Sequence, residues 1–282
     1  MHWLTWLIPW QPSPTVVVAT LLFATLYWRG GRRTRSPLPR RVSFWAGLVL
    51  LYAALHTRLD YYAEREFFVH RLQHMVLHDV GPFLIALAEP GATLLAGLPA
   101  SWRKRWDTSR AAQVTRATFR SLAQPLVVGM LFVGAMWLWL IPDVQFYAML
   151  DVHLYRTMNW STVAAALLFW TSALDSRSSP PARFKRGTRI LLLGAVMPPA
   201  MAAGGLVTLA TANLYPLYEL CGRAFAGITA LEDQTLGGLI LWVPGSMMCV
   251  LGALIELWFW FRNEEAAAPQ PGASAAPRRT SA

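Results

Sequence analysis

Seven long apolar stretches divide the 282-residue chain, and the hydrocarbon core of a bilayer is the solvent that such stretches fit. They run over Thr15–Trp28, Val42–His56, Leu72–Leu98, Leu122–Ile141, Trp160–Leu174, Ile190–Thr211 and Gln234–Phe261. Only 14% of the residues are charged, against about 25% in soluble domains. That excludes a soluble globular protein, a coiled coil and a disordered chain. The expectation is an all-α integral membrane bundle of seven transmembrane helices spanning residues 1–262. Residues 263–282, rich in Ala, Pro and Ser, read as a disordered cytoplasmic tail.

The first stretch is short, but Trp3, Trp6 and Trp10 before it suit an interfacial belt. It lacks the basic leader of a cleaved signal peptide, so it reads as a mature helix. Pro82 and Pro90 predict a kink in the third span, and Pro198 with Pro199 predict a break in the sixth.

The net charge of +10 brings nucleic acid to mind, but no nucleic-acid module is visible and the basic residues are distributed by loop. Arg29, Arg32, Arg33, Arg35, Arg40 and Arg41 lie between the first and second spans. Arg103, Lys104, Arg105, Arg110, Arg116 and Arg120 lie between the third and fourth, and Arg177, Arg183, Lys185, Arg186 and Arg189 between the fifth and sixth. With Arg262, Arg278 and Arg279 after the last span, these make 20 of the 25 basic residues. Cytoplasmic loops collect Lys and Arg, which predicts the N-terminus outside and the C-terminus inside. An odd number of spans is required, and seven is odd.

All six histidines then fall on the outer side: His2, His56, His70, His74, His78 and His153. Steps of four place His70, His74 and His78 on one helix face, each about 6 Å along the axis from the last. Neighbours four apart can grip one metal ion, whereas the outer two are about 12 Å apart. Met75 lies three residues before His78 and reaches the same region. Imidazole with thioether suits copper, Cu(I) in particular. Pro82 removes the hydrogen bond to the carbonyl of His78, which frees an acceptor beside the rings. Asp79 can ligate or orient a histidine, and ionisable groups at membrane depth are costly and tend to be functional.

The plainer readings are an interfacial role for His70 and structural hydrogen bonds for His74 and His78. Glu89 and Glu256 read as partners of loop arginines, and Gly204, Gly205, Gly237 and Gly238 as sites of close helix contact. Asp233 with Gln234 reads as the cap of the seventh span. Cys221 and Cys249, with no CxxC pattern, exclude a disulfide framework and a thiolate zinc site. No nucleophile–base set, phosphate loop or nucleotide fingerprint is present. Two other function classes stay open. One is a membrane haem protein with His74 and His153, or His56 and His78, as axial pair. The other is an ion or metabolite transporter, favoured by Pro198 and Pro199.

The stretch from His70 through His74, Met75, His78, Asp79 and Pro82 resembles the histidine-bearing helix of the CtaG family, the multi-span assembly factors of caa3-type cytochrome c oxidase. Met158-Asn159-Trp160 through Trp170, and Leu231-Glu232-Asp233-Gln234 through Trp242, agree as well. The likeness covers the chain from the second span to the end of the seventh. It implies a non-enzymatic assembly factor or metallochaperone in the bacterial inner membrane. It also implies a copper-related task, with cytochrome c oxidase subunits and periplasmic copper chaperones as partners and no nucleic acid. The family often carries a further histidine near Asn159. Either His153 substitutes for it here, or the site rests on the third span alone. The candidate metal residues are thus His74, His78, His70, His153, Met75 and Asp79.

Overall fold

The computed structural model describes residues 8–122, 124–177, 179–180 and 182–267 and is entirely helical among them. His2, Trp3, Trp6 and residues 268–282 of the expected tail lie outside the described residues. Helices α1 (Pro14–Gly31), α2 (Leu38–Leu55) and the single turn α3 (Leu59–Ala63) lead into α4 (Phe67–Met75). One π turn, Val76–Val80, joins α4 to α5 (Gly81–Leu87). Then follow α6 (Gly91–Gly97), α7 (Ala100–Thr108), α8 (Arg110–Leu122), α9 (Pro125–Leu138) and α10 (Pro142–Leu150). The chain continues through α11 (Val152–Ala173), α12 (Arg186–Leu209), α13 (Leu217–Leu220) and α14 (Ala230–Ala267).

Local chemistry accounts for the starts. Pro opens α1, α2, α9 and α10, where its missing N–H is no loss. Asp151 caps α11 by accepting from the Leu154 amide at 2.8 Å. Thr229 and Glu232 form a reciprocal capping box for α14: the Thr229 amide donates to Glu232, and the Glu232 amide to the Thr229 hydroxyl. The cap expected from Asp233 therefore belongs to Thr229, and Asp233 serves a different helix.

Helices α2, α12 and α14 are long and apolar enough to cross a membrane. The α4–α5 helix with α6, bent by 76°, and α9 with α10, bent by 74°, raise the number of such segments to five. Helices α1 and α11 are not among them; Arg29 dilutes the first, and Arg156, Asn159 and Thr162 dilute the second. Polar residues are tolerated in α11 because much of it faces protein. Tyr155, Met158, Asn159, Thr162, Val163, Ala166, Phe169, Trp170 and Ala173 are buried at three- and four-residue spacing.

The expected kink divides between two places. At Pro90 the chain turns sharply, whereas at Pro82 the helix runs on through the π turn. The break expected at Pro198 and Pro199 is absent: α12 is continuous through both, and Trp137 Nε1 donates to the Pro199 carbonyl at 3.1 Å. Close contact holds at Gly204, Gly237 and Gly238 but not at Gly205, where a Cβ would meet only the Trp242 ring at 3.9 Å. A Cβ on Gly204 would sit 2.6 Å from the Trp242 backbone, and one on Gly238 2.7 Å from the Thr208 amide.

The bundle has two chemically different ends. At one, Glu256 is fully buried against Arg189 at 3.1 Å, with Arg186 at 3.6 Å, and Glu89 pairs with Arg40 at 3.1 Å. Both acids thus meet loop arginines as expected. The other end gathers Ser13, His56, Asp60, Glu66, the start of α11 and residues 213–233. The core between them is aromatic, with Phe132 stacked on Phe169 at 3.9 Å and Trp170 edge-on to Phe83.

Candidate functional site

Helix α4 carries the first two histidines, and its start is held from outside the helix. Asp233 of α14 accepts from the amides of Phe67 at 2.9 Å and Phe68 at 2.7 Å, satisfying two of the donors a helix N-terminus leaves open. Arg223 braces the same carboxylate at 3.3 Å. His70 is completely buried rather than interfacial, and its ring lies 4.5 Å from that of His74.

The π turn places His78. The Gly81 amide reaches back five residues to the Val76 carbonyl, and Pro82 has no amide to offer. The His78 carbonyl left over accepts instead from the Trp170 indole at 3.1 Å. The His78 ring stacks on Phe132 at 3.9 Å, and Nε2 sits 3.0 Å from the Phe132 carbonyl. A carbonyl only accepts, so Nε2 carries a proton, and Nδ1 is an acceptor whenever the ring holds that one proton alone. That nitrogen faces a carboxylate oxygen of Asp79 at 3.5 Å. With Nδ1 unprotonated the two face each other as acceptors, and with it protonated the same pair is a salt bridge.

Arg71, His74, Met75, His78, Asp79, Met136 and Thr162 line a cavity of about 30 Å³, closed on the far side by α14 at Ile240, Leu241 and Gly245. That is room for one water or one ion. Several buried polar atoms beside it have no hydrogen-bond partner: His74 Nε2, Nε of Arg71 and the Thr162 hydroxyl. Such orphans are rare in native interiors and call for an occupant. The structure thus brings His74, Met75, His78 and Asp79 to one cavity, with His70 stacked behind. His153 is not brought there; it is exposed on the first turn of α11. Among the described residues, no three His, Cys, Asp or Glu side chains are preassembled at metal-binding distance.

His56 has a local role. Its Nε2 accepts from the Ser13 amide at the start of α1, and Nδ1 meets the Tyr52 hydroxyl at 2.9 Å. Both His56 nitrogens are occupied, so that imidazole offers no free nitrogen to a haem. Both cysteines are free thiols.

Arg71 and Thr162 line the cavity without having been singled out from the sequence, and Trp170, which holds the His78 carbonyl, entered there only within the stretch that resembles the family. In the connections beyond the spans, burial raises the Asp60 carboxyl, offset in part by hydrogen bonds from Tyr155 and Gln73. Burial likewise pushes the Tyr215 phenol up to about 12, with Arg71 opposing.

A helical membrane protein with buried histidines inside its bundle is the class these features define. The chain belongs to the cytochrome c oxidase caa3 assembly factor family (Caa3_CtaG), whose model matches residues 21–263. Membership makes it an assembly factor of that oxidase. No curated protein and no solved structure shows significant similarity to it.

Proposed function

We propose that this assembly factor holds copper as cargo for the oxidase, in the cavity between His74 and His78, at the outer face of the bacterial inner membrane. The observation that carries the reading is the facing of His78 Nδ1 and Asp79 at 3.5 Å, in a cavity that also receives Met75 and the unpartnered Nε2 of His74. Two imidazoles and a thioether are a soft, low-coordinate donor set suited to Cu(I). Arg71 lines the same cavity, and its fixed charge penalises a divalent ion more than a monovalent one. His70, behind His74, is the reserve ligand; His153, exposed, is left as a group met earlier by an incoming ion.

The seven-span topology with the N-terminus outside is part of this reading. The separation of Arg40, Arg186 and Arg189 from the histidine-bearing end supports it, because cytoplasmic ends collect basic residues. In this orientation the histidine-bearing end meets periplasmic copper chaperones and the oxidase subunits that receive the metal.

The test is copper analysis of the purified, copper-reconstituted protein beside the double variant His74→Ala/His78→Ala, with thermal unfolding of both to establish folding. Loss of the bound copper from a folded variant is expected. Equal copper in the two samples contradicts the reading.

A further inference from the structure

A second small cavity lies at the histidine-bearing end, outside the site above. It measures about 20 Å³ and is lined by Gln11, Ser13, Asp60, Tyr155, Arg156 and Asn159, among others. Asp60 is 4% exposed, and both of its side-chain hydrogen bonds fall on one oxygen, Oδ1, from the Tyr155 hydroxyl at 2.6 Å and the Gln73 amide at 2.9 Å. Both donors are neutral, and among the described residues no ion pair reaches Asp60. A carboxylate buried without a cation is costly to keep. Asn159 is 5% exposed, and its Oδ1 is buried with no partner. Two oxygen acceptors, one charged and one neutral, thus line one ion-sized space, with partly exposed Arg156 beside them.

The cavity also lies next to the histidine ladder. Tyr155, whose hydroxyl binds Asp60, has its ring 6.4 Å from that of His70. His70 in turn stands 4.5 Å from His74, which lines the inner cavity. Polar groups therefore follow one another from Asp60 and Asn159, past Tyr155 and His70, to His74. Gln73 ties Asp60 to α4 and to the Ala54 carbonyl, which holds the two levels in register.

We propose that the Asp60–Asn159 cavity is an outer cation station, where an incoming copper ion is first held by oxygen atoms before passing along His70 to the nitrogen and sulfur donors of the inner cavity. The inference rests on the copper reading given above. Oxygen ligands hold a soft cation weakly, and the donors further in hold it better, so the ion moves inward down a gradient of affinity.

The test is the time course of Ag(I) uptake, a redox-silent stand-in for Cu(I), by the full-length protein in detergent. Wild type is compared with Asp60→Asn and with Asn159→Leu. Asn preserves the shape of Asp60 and can accept from Tyr155 and Gln73, so Asp60→Asn is expected to unfold at the wild-type temperature or above. It should load at least about tenfold more slowly, the change that goes with losing one charge-assisted contact, and reach the same final stoichiometry. Asn159→Leu should slow loading in the same direction. Wild-type loading rates in Asp60→Asn overturn the station, as does a variant whose stability and final stoichiometry fall together, which marks a structural residue. A wild-type protein that takes up no Ag(I) overturns the copper reading itself, and the station with it.

Discussion

The backbone carbonyl of His78 accepts a hydrogen bond from the indole of Trp170, 92 residues later in the chain, at 3.1 Å. Pro82 creates the vacancy that this bond fills, so a helix defect in one span is completed by a buried side chain from another. The same bond fixes the turn on which His78 presents its ring to Asp79.

Replacing Trp170 by Phe keeps the aromatic packing but leaves the carbonyl buried without a donor. Trp170→Phe should cost about 1–3 kcal/mol, read as a lowered unfolding temperature in detergent. It should also weaken metal retention relative to a core variant of equal stability at a distance from the turn. A variant as stable as wild type would show that the turn holds without the indole.

Helices α1 and α6 touch backbone to backbone. A Cβ on Gly97 would lie 2.0 Å from the Leu26 carbonyl oxygen, whereas one on Gly31 meets open space. Gly97→Ala should therefore destabilise the protein by about 1–3 kcal/mol, because neither helix can withdraw without losing its other contacts. Gly31→Ala should change stability by less than about 0.5 kcal/mol. Paired thermal unfolding curves measure both.

At the basic end, burial raises the Asp175 carboxyl, but hydrogen bonds and charge from Arg177 outweigh burial and hold it below its ordinary value of 3.8. A carboxyl depressed in the folded state contributes stability above its unfolded value and loses that contribution as pH falls through the folded value. Asp175→Asn should be less stable than wild type at pH 7, and the gap should close below about pH 4, as the wild-type carboxylate becomes protonated. A gap constant across that range contradicts the assignment.

Arg71 offers a test of selectivity. Its guanidinium lines the cavity, so each added charge on a bound ion increases the repulsion. Arg71→Gln should improve binding of Cu(II) or Zn(II) relative to Ag(I) by at least about tenfold, measured by competition. An unchanged ratio would remove Arg71 from the electrostatics of the site.

The helical class was legible in the sequence because it rests on local spacing, and the same spacing put His74 and His78 within reach of one cavity. The effect of Pro82 on the His78 carbonyl was legible too, since a proline acts at a fixed distance along the chain. What completes these features was not. The donor to His78 is Trp170, and the cap of α4 is Asp233, 166 residues from Phe67. Sequence spacing has no access to such pairs, which is why Asp233 was assigned to its own helix. The two proline positions in α12 look like a break by the same local rule, yet the helix runs through both. His153 shares a side of the bundle with the other histidines but not their depth, which depends on where α11 begins. The fourth apolar stretch ends at Ile141 in the sequence, and the structure adds α10 beyond it, bent by 74° from α9.

X-ray absorption at the copper edge of the Cu(I)-loaded protein tests the central assignment most directly. The account predicts a low-coordinate ion with imidazole nitrogens and one thioether sulfur, and loss of the sulfur signal in Met75→Leu. A spectrum with oxygen ligands alone, or one unchanged by both Met75→Leu and His74→Ala/His78→Ala, would contradict it.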